Sequence, residues 1–226
     1  MRSGIVWSVT EQHDSGSPPA VPFAGWLRSV QAALVEEQPA DVPCGACNAC
    51  CRTRHHIHVR PEERRALARL PRKHLFPAPD LPPGNLVLGY DAAGLCPMLI
   101  HGRCTIYEDR PIVCRTYDCR IYAAADVIAD RAAIAEQVRR WEFSHLAPED
   151  RERHAAVRAA ASFIQEHAES LPSEAARHEP LRVAVLAIAV HESFLNGASG
   201  AIGRRSSDRD KARAVVAANE RLFADG

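Results

Sequence analysis

Apolar positions recur at helical spacing over residues 23–38, lose that period through the middle of the chain, and regain it over the last hundred residues. In 23–38 the apolar side carries Trp26, Val30, Ala33, Leu34 and Ala32, which predicts a helix ended by Pro39 and Pro43. The stretch before it, 11–22, is rich in Gly, Ser and Pro and predicts irregular chain. Residues 61–70 open with Pro61-Glu62-Glu63, a proline at a first helical position with acids in the first turn, and Pro71 stops that helix. Residues 71–103 hold six of the sixteen prolines and four glycines, so they predict loop, with short strands expected only at 86–88 and 104–107. From about Ala123 the chain turns rich in Ala, Arg and Glu and predicts helices over 126–143, 148–170, 181–196 and 207–223. Gly197 is the expected left-handed cap of the third, and 197–203, with three glycines, a flexible break. Ser206 or Ser207 is the expected N-cap of the fourth, with Asp208 and Asp210 in its first turn. No internal repeat is present. The pattern predicts a mainly α fold with little β, in which helices wrap an irregular core.

That core is defined by cysteine. All eight cysteines fall between residues 44 and 119, and none lies in the flanking segments. Four form the run Cys44-Gly45-Ala46-Cys47-Asn48-Ala49-Cys50-Cys51; the others are Cys96, Cys104, Cys114 and Cys119. Two overlapping Cys-x2-Cys spacings turn the backbone so that several thiolates reach one point, which suits a tetrahedral zinc or an iron–sulfur cluster. Disulfides are the competing use of an even cysteine count. Against them, residues 1–10 show no basic segment followed by an apolar one, and 226 residues can bury a core without covalent staples. Adjacent Cys50 and Cys51 would also need separate remote partners. All eight are therefore expected as metal ligands. A run of three at two-residue gaps with a remote fourth favours [4Fe-4S] over zinc. Cys96, followed by Pro97, is the candidate fourth ligand, with Cys114 and Cys119 competing. Asn48 inside the run is expected at positive φ.

The organisation read from this is an N-terminal segment and helix over 1–43, an eight-cysteine module over 44–122, and a helical region over 123–226 that packs on the module. Basic and acidic residues balance at 28 each, so no global field draws the chain to nucleic acid or a membrane surface. The longest apolar run, 183–190, is too short to cross a bilayer, and the cytoplasm is the expected location. Locally the balance breaks. Residues 52–74 carry eight Arg or Lys against Glu62 and Glu63, a surplus that can offset an anionic thiolate centre or bind an anionic group. His55, His56, His58 and His101 read either as nitrogen ligands or as part of a solvated basic segment, the second being preferred.

The segment Cys104-Thr105-Ile106-Tyr107-Glu108-Asp109-Arg110-Pro111-Ile112-Val113-Cys114-Arg115-Thr116-Tyr117-Asp118-Cys119 resembles the hallmark of the YkgJ-type cysteine cluster family, also described as the CxxCxxCC zinc- or iron-chelating domain. The first cysteine run matches its name motif, and Cys96-Pro97 its middle element. The resemblance implies an eight-cysteine metal module. One relative with the module, the flagellin lysine N-methylase, uses S-adenosylmethionine; a Gly-rich methyl-donor loop is not evident in this sequence. Around Cys114, Arg110 and Arg115 are placed to donate to sulfur or to a bound anion. Tyr107 and Tyr117 are placed to shield the centre, or simply to fill the core. Glu108 and Asp109 are expected to pair with arginines or lie exposed. Three functions follow as expectations: a metal centre serving redox or group-transfer chemistry such as methylation, a structural zinc module that binds a partner protein or nucleic acid, and a metal-handling protein.

Overall fold

The structure is a computed structural model that describes residues 20–36, 40, 42, 47–55, 57–79, 81–171, 179–195 and 206–223. Cys44, His56, residues 1–19 and the glycine-rich 197–203 lie outside the described residues. In chain order the elements are β1 Val21–Pro22, α1 Phe23–Glu36, β2 Ile57–Val59, α2 Arg64–Arg69, β3 Leu75–Pro77, β4 Leu86–Leu88, β5 Leu99–Ile100 and β6 Arg103–Cys104. They continue as α3 Ile112–Thr116, α4 Arg120–Ala125, α5 Ala132–Val138, β7 Phe143–Ser144, α6 Pro148–Glu166, α7 Pro180–Val190 and α8 Asp208–Phe223. Short 3₁₀ turns punctuate them, at Ala49–Arg52 and Tyr107–Asp109 among others. The chain is mainly helical, and its sheets are small.

Among the described residues the buried side chains fall into two hydrophobic cores. The larger is built around α7, whose residues from Val183 to Ile188 are all buried. A helix apolar on every side must be surrounded, and α1, α4, α6 and α8 pack around it. The small side chains Ala156, Ala160 and Ala161 of α6 let the α6 and α7 backbones approach closely. α1 contributes Phe23, Trp26, Leu27, Val30 and Ala33. The helical period found most of that face; Phe23 and Leu27 complete it. At the start of α6, Asp150 accepts the backbone N–H groups of Leu146 and Ala147 at 3.0 and 3.2 Å. At α8, Ser207 Oγ accepts from the Asp210 N–H at 3.2 Å and donates to its carboxylate at 2.6 Å, which confirms Ser207 as the cap.

Several boundaries differ from the expectations. The helix expected at 61–70 begins only at Arg64, because Glu63 turns back to accept the Arg60 N–H at 2.9 Å and the Ile112 N–H. The helix expected at 126–143 is two helices, α4 and α5, since Asp126 ends α4 in the left-handed region at φ 55°. The helix expected at 181–196 leaves α-geometry at His191 for a 3₁₀ turn, and 148–170 does the same at Ala168. Strand 86–88 is present as β4, whereas the strand expected at 104–107 keeps only Cys104, and β2 and β3 were unforeseen. Three-residue strands carry too little alternation to stand out from loop.

One prediction arises from α6. His154 is buried, stacked on Phe23 with centroids 4.4 Å apart, and in contact with His145 Nε2 through Nδ1 at 2.9 Å. Burial, then the nearby Arg158 and His145, hold its pKa down to about 4. The unfolded chain therefore binds a proton between about pH 6.5 and 4 that the folded chain refuses. Stability is full above that window, falls as pH drops through it, and levels off below, for a loss of about 3 kcal/mol. Denaturant melts of His154→Gln against the parent will show a flatter dependence across the same window; an unchanged slope would assign the effect elsewhere.

Candidate metal centre

The second, smaller core holds most of the sulfur. Its buried residues are Ile57, Val59, Ala66, Leu70, Leu88, Cys96 and Ile106, with Cys51, Cys104, Val113 and Cys114 packed against them. The antiparallel sheet β2–β4–β3 forms its floor, Ile57 and Leu75 both pairing with Leu88. Backbone hydrogen bonds bring three cysteines to this point. The Cys96 N–H donates to the Cys51 carbonyl at 2.8 Å. The Leu99 N–H donates to the Cys96 carbonyl at 2.9 Å, and Leu99 faces Cys104 across the β5–β6 hairpin. Cys114 arrives on α3, which packs against β2.

Two turns fix the geometry. The Asp91 carboxylate accepts the N–H groups of Ala93 and Leu95 at 2.9 and 2.8 Å, delivering Cys96. Gly94 in that turn has φ 77°, and a Cβ there would collide with the Arg54 guanidinium. The β5–β6 hairpin closes through His101-Gly102, both at positive φ, as two-residue hairpin loops prefer.

The remaining described cysteines lie elsewhere. Cys47, Cys50 and Cys119 line one small cavity with Val42, Ala49, Tyr117, Ile134, Gln137 and Trp141. Cys119 and Cys47 belong to the larger helical core, Cys119 standing at the N-cap of α4. Cys96 is thus beside Cys51, and Cys119 is the remote cysteine that shares a cavity with Cys47 and Cys50. Each group has its tyrosine. The Tyr90 hydroxyl is pushed upward in pKa by burial and then by Cys96, Cys114 and Cys51, and it donates to the His55 carbonyl. The Tyr117 hydroxyl is likewise raised, by burial and then by Tyr122, Cys50 and Cys119.

The donor set fits a thiophilic cation. Cys51 donates to Cys96, which lowers the Cys96 thiol to about 7 and, with burial, raises Cys51. Burial, then repulsion from Cys96 and Cys104, pushes Cys114 up to about 12, and burial raises Cys104. Buried sulfurs that repel one another as thiolates are what a bound metal ion would stabilise. No disulfide joins the described cysteines. Among the described residues no three metal-binding side chains converge to coordinating distance.

The non-cysteine candidates divide. Arg110 stacks its guanidinium 3.6 Å from the Tyr107 ring centre, and its charge favours the thiolate forms of Cys104 and Cys114. Tyr107 is 44% exposed, and Tyr117 keeps a buried hydroxyl. Arg110 and Arg115 also line an open cleft of about 600 Å³ with Arg60, Arg64 and Arg65 and with the acids Glu62, Glu63, Glu108 and Asp109, so the basic segment and the motif arginines share one face. Asp109 there is paired with Arg65 at 2.7 Å. Asn48 does not adopt positive φ; at φ −132° it clamps the cysteine run, donating to the Gly102 carbonyl at 3.0 Å and accepting from Arg52 Nε at 2.8 Å. His58 contacts the Asn85 side-chain oxygen at 2.8 Å, His101 is an exposed turn residue, and burial lowers the pKa of His55.

Sequence reasoning missed the group that seats Cys119. Asp118, 2% exposed, accepts from Trp26 Nε1 at 2.9 Å and receives the Arg120 guanidinium through Nε and a terminal nitrogen at 2.8–3.0 Å. Arg120 also lies 5.7 Å from the Trp141 ring centre. A lone buried aspartate leaves no periodic signal. Its only mark in the sequence is the Asp-Cys-Arg order at 118–120.

Among the described residues no helix is long and apolar enough to cross a membrane. Searches of curated proteins and of solved structures gave no match. The profile of the family CxxCxxCC, described as "Putative zinc- or iron-chelating domain", matches residues 43–142, from the first cysteine run through α5. Over residues 43–142 this chain is therefore similar to the CxxCxxCC family of zinc- or iron-chelating domains.

Proposed function

We propose that this chain is a thiolate metalloprotein whose CxxCxxC run holds a [4Fe-4S] cluster that supports a redox or group-transfer modification, such as methylation, of a peptide or small molecule. The carrying observation is that Cys47, Cys50 and Cys119 line one cavity, capped by Tyr117 and Trp141. Cys44 enters the ligand set on its spacing, and Cys119 supplies the remote fourth sulfur. The apolar lining would limit water at the cluster and so tune its potential. The cytosol, where thiols stay reduced, is the compartment this reading requires.

The mixed-charge cleft, with five arginines and four carboxylates, supports a second reading, in which the metal is structural and the basic stretch 52–74 meets a partner. Anaerobic purification followed by iron, zinc and sulfide analysis decides between them. The cluster reading expects about four irons and four sulfides per chain and a paramagnetic signal on reduction. Zinc with negligible sulfide, in protein never exposed to air, would leave only the second reading.

A further inference from the structure

We propose that the cleft between α2 and α3 binds the phosphate group of a small phosphate monoester through Arg110 and Arg115. The site stands whichever metal the cysteines hold. The cleft is framed by α2 on one side and by the Tyr107–Asp109 turn and the start of α3 on the other. Its charges differ with depth. The half-buried ones are Arg60, Arg110 and Arg115 against Glu63 and Asp109, and both carboxylates are already engaged. Glu63 accepts the Arg60 and Ile112 N–H groups, and Asp109 accepts from Arg65 of the rim at 2.7 and 2.9 Å. With Asp109 neutralised, the depth of the cleft sets three arginines against one carboxylate. At the exposed rim the balance reverses, with Glu62 and Glu108 against Arg64. The Nε atoms of Arg110 and Arg115 are buried, and neither has an acceptor among the described residues.

A buried N–H without an acceptor is costly. Each of these two guanidiniums gains one by turning its Nε edge toward an oxyanion in the cleft. Arg110 Cζ lies 3.6 Å over the Tyr107 ring centre, a contact that uses the face of the guanidinium and leaves its edge to donate. Two such forks and a deep surplus of positive charge match a phosphate monoester, which carries about −1.5 to −2 charge and three acceptor oxygens at neutral pH. A carboxylate has one charge and two oxygens, enough for one fork. The acidic rim repels a polyanion such as nucleic acid, and admits a ligand whose remaining part is uncharged. Ala66 and Ile112 supply an apolar wall for a short carbon skeleton. The volume, about 600 Å³, lies within the range of roughly 300–1,000 Å³ that small-molecule pockets occupy.

The test uses the full chain, purified anaerobically with its metal, in calorimetric titrations with inorganic phosphate and phenyl phosphate. Both are expected to bind at one site, phenyl phosphate more tightly, since its ring can lie on the Ala66–Ile112 wall. Arg110→Gln and Arg115→Gln should each weaken binding about tenfold or more, through loss of charge-assisted donors. Glu108→Gln, at the rim, should not weaken it. The metal content of each variant reports whether its fold is kept. A second measurement needs no variant. Modification of the parent by phenylglyoxal, mapped by mass spectrometry, should be slowed by phenyl phosphate at Arg110 and Arg115 but not at Arg139 and Arg140, which are exposed outside the cleft. No saturable binding of either phosphate, or protection spread evenly over all arginines, would overturn the proposal. So would succinate that binds as tightly as phosphate, which would make the ligand a carboxylate. A short single-stranded oligonucleotide preferred to phenyl phosphate would overturn it in favour of nucleic acid. The metal analysis described above leaves each of these outcomes unchanged, so the two readings fail separately.

Discussion

Replacing Asp118 with alanine will lower the stability of the chain by about 3–5 kcal/mol, the cost of breaking a buried ion pair by removing one side of it. The Arg120 guanidinium, 5% exposed, is ion-paired with Asp118, and Trp26 Nε1 loses its acceptor in the same change. Urea melts of the metal-loaded protein measure the loss. The double variant Asp118→Ala/Arg120→Met should recover part of it, because removing both charges also removes the desolvation penalty. A single variant as stable as the parent would mean that water reaches Arg120, and the buried network would have to be abandoned. Because Asp118 and Arg120 flank Cys119, metal content should be followed beside stability.

Removing metal will unfold one part of the molecule and spare the other. Among the described residues the small core rests on seven buried side chains, one of them Cys96, and its strands are three residues long. Isolated elements of that size are marginal in water, so bound metal is expected to supply their stability, on the order of 10 kcal/mol for a structural zinc. The helical core around α7 is far larger and has no comparable need. After chelation under reducing conditions, hydrogen exchange should become fast at Ile57–Val59 and Leu86–Leu88 and stay slow in α6 and α7. Strands that remain protected after chelation would show the small core to be self-supporting.

How far the sequence could be read follows from the forces that act at each place. α1, α6, α7 and α8 were legible because burial against one large core imposes a helical period on 11 or more residues. The break at Asp126 was not, since an alanine-rich stretch keeps its period across a left-handed residue that only packing demands. The metal-binding character was legible from cysteine spacing alone. The division of the cysteines was not, because spacing in sequence says which sulfurs can meet and not which core each one faces. Cys96 was the candidate fourth ligand of the CxxCxxC run, with Cys114 and Cys119 competing; the Asp91 turn and the Cys51 carbonyl set it beside Cys51. Tyr90, Asp118 and Arg120 were silent because each acts through a single long-range contact.

The Cys50–Cys51 peptide bond sets the phase between the two halves of the molecule. Side chains that diverge across one peptide plane behave like teeth on a shared key: turning one turns the other. An insertion of a single residue between them, in a 3₁₀ turn, would rotate one sulfur about 120° from its place, whichever side absorbed the change. A residue added to the 78–85 loop, which leads from one edge strand to the central strand of the small sheet, rotates no ligand and should be accommodated. The CC dipeptide is therefore where this chain has least freedom to vary in length, and any lengthening that preserves both cores must occur elsewhere.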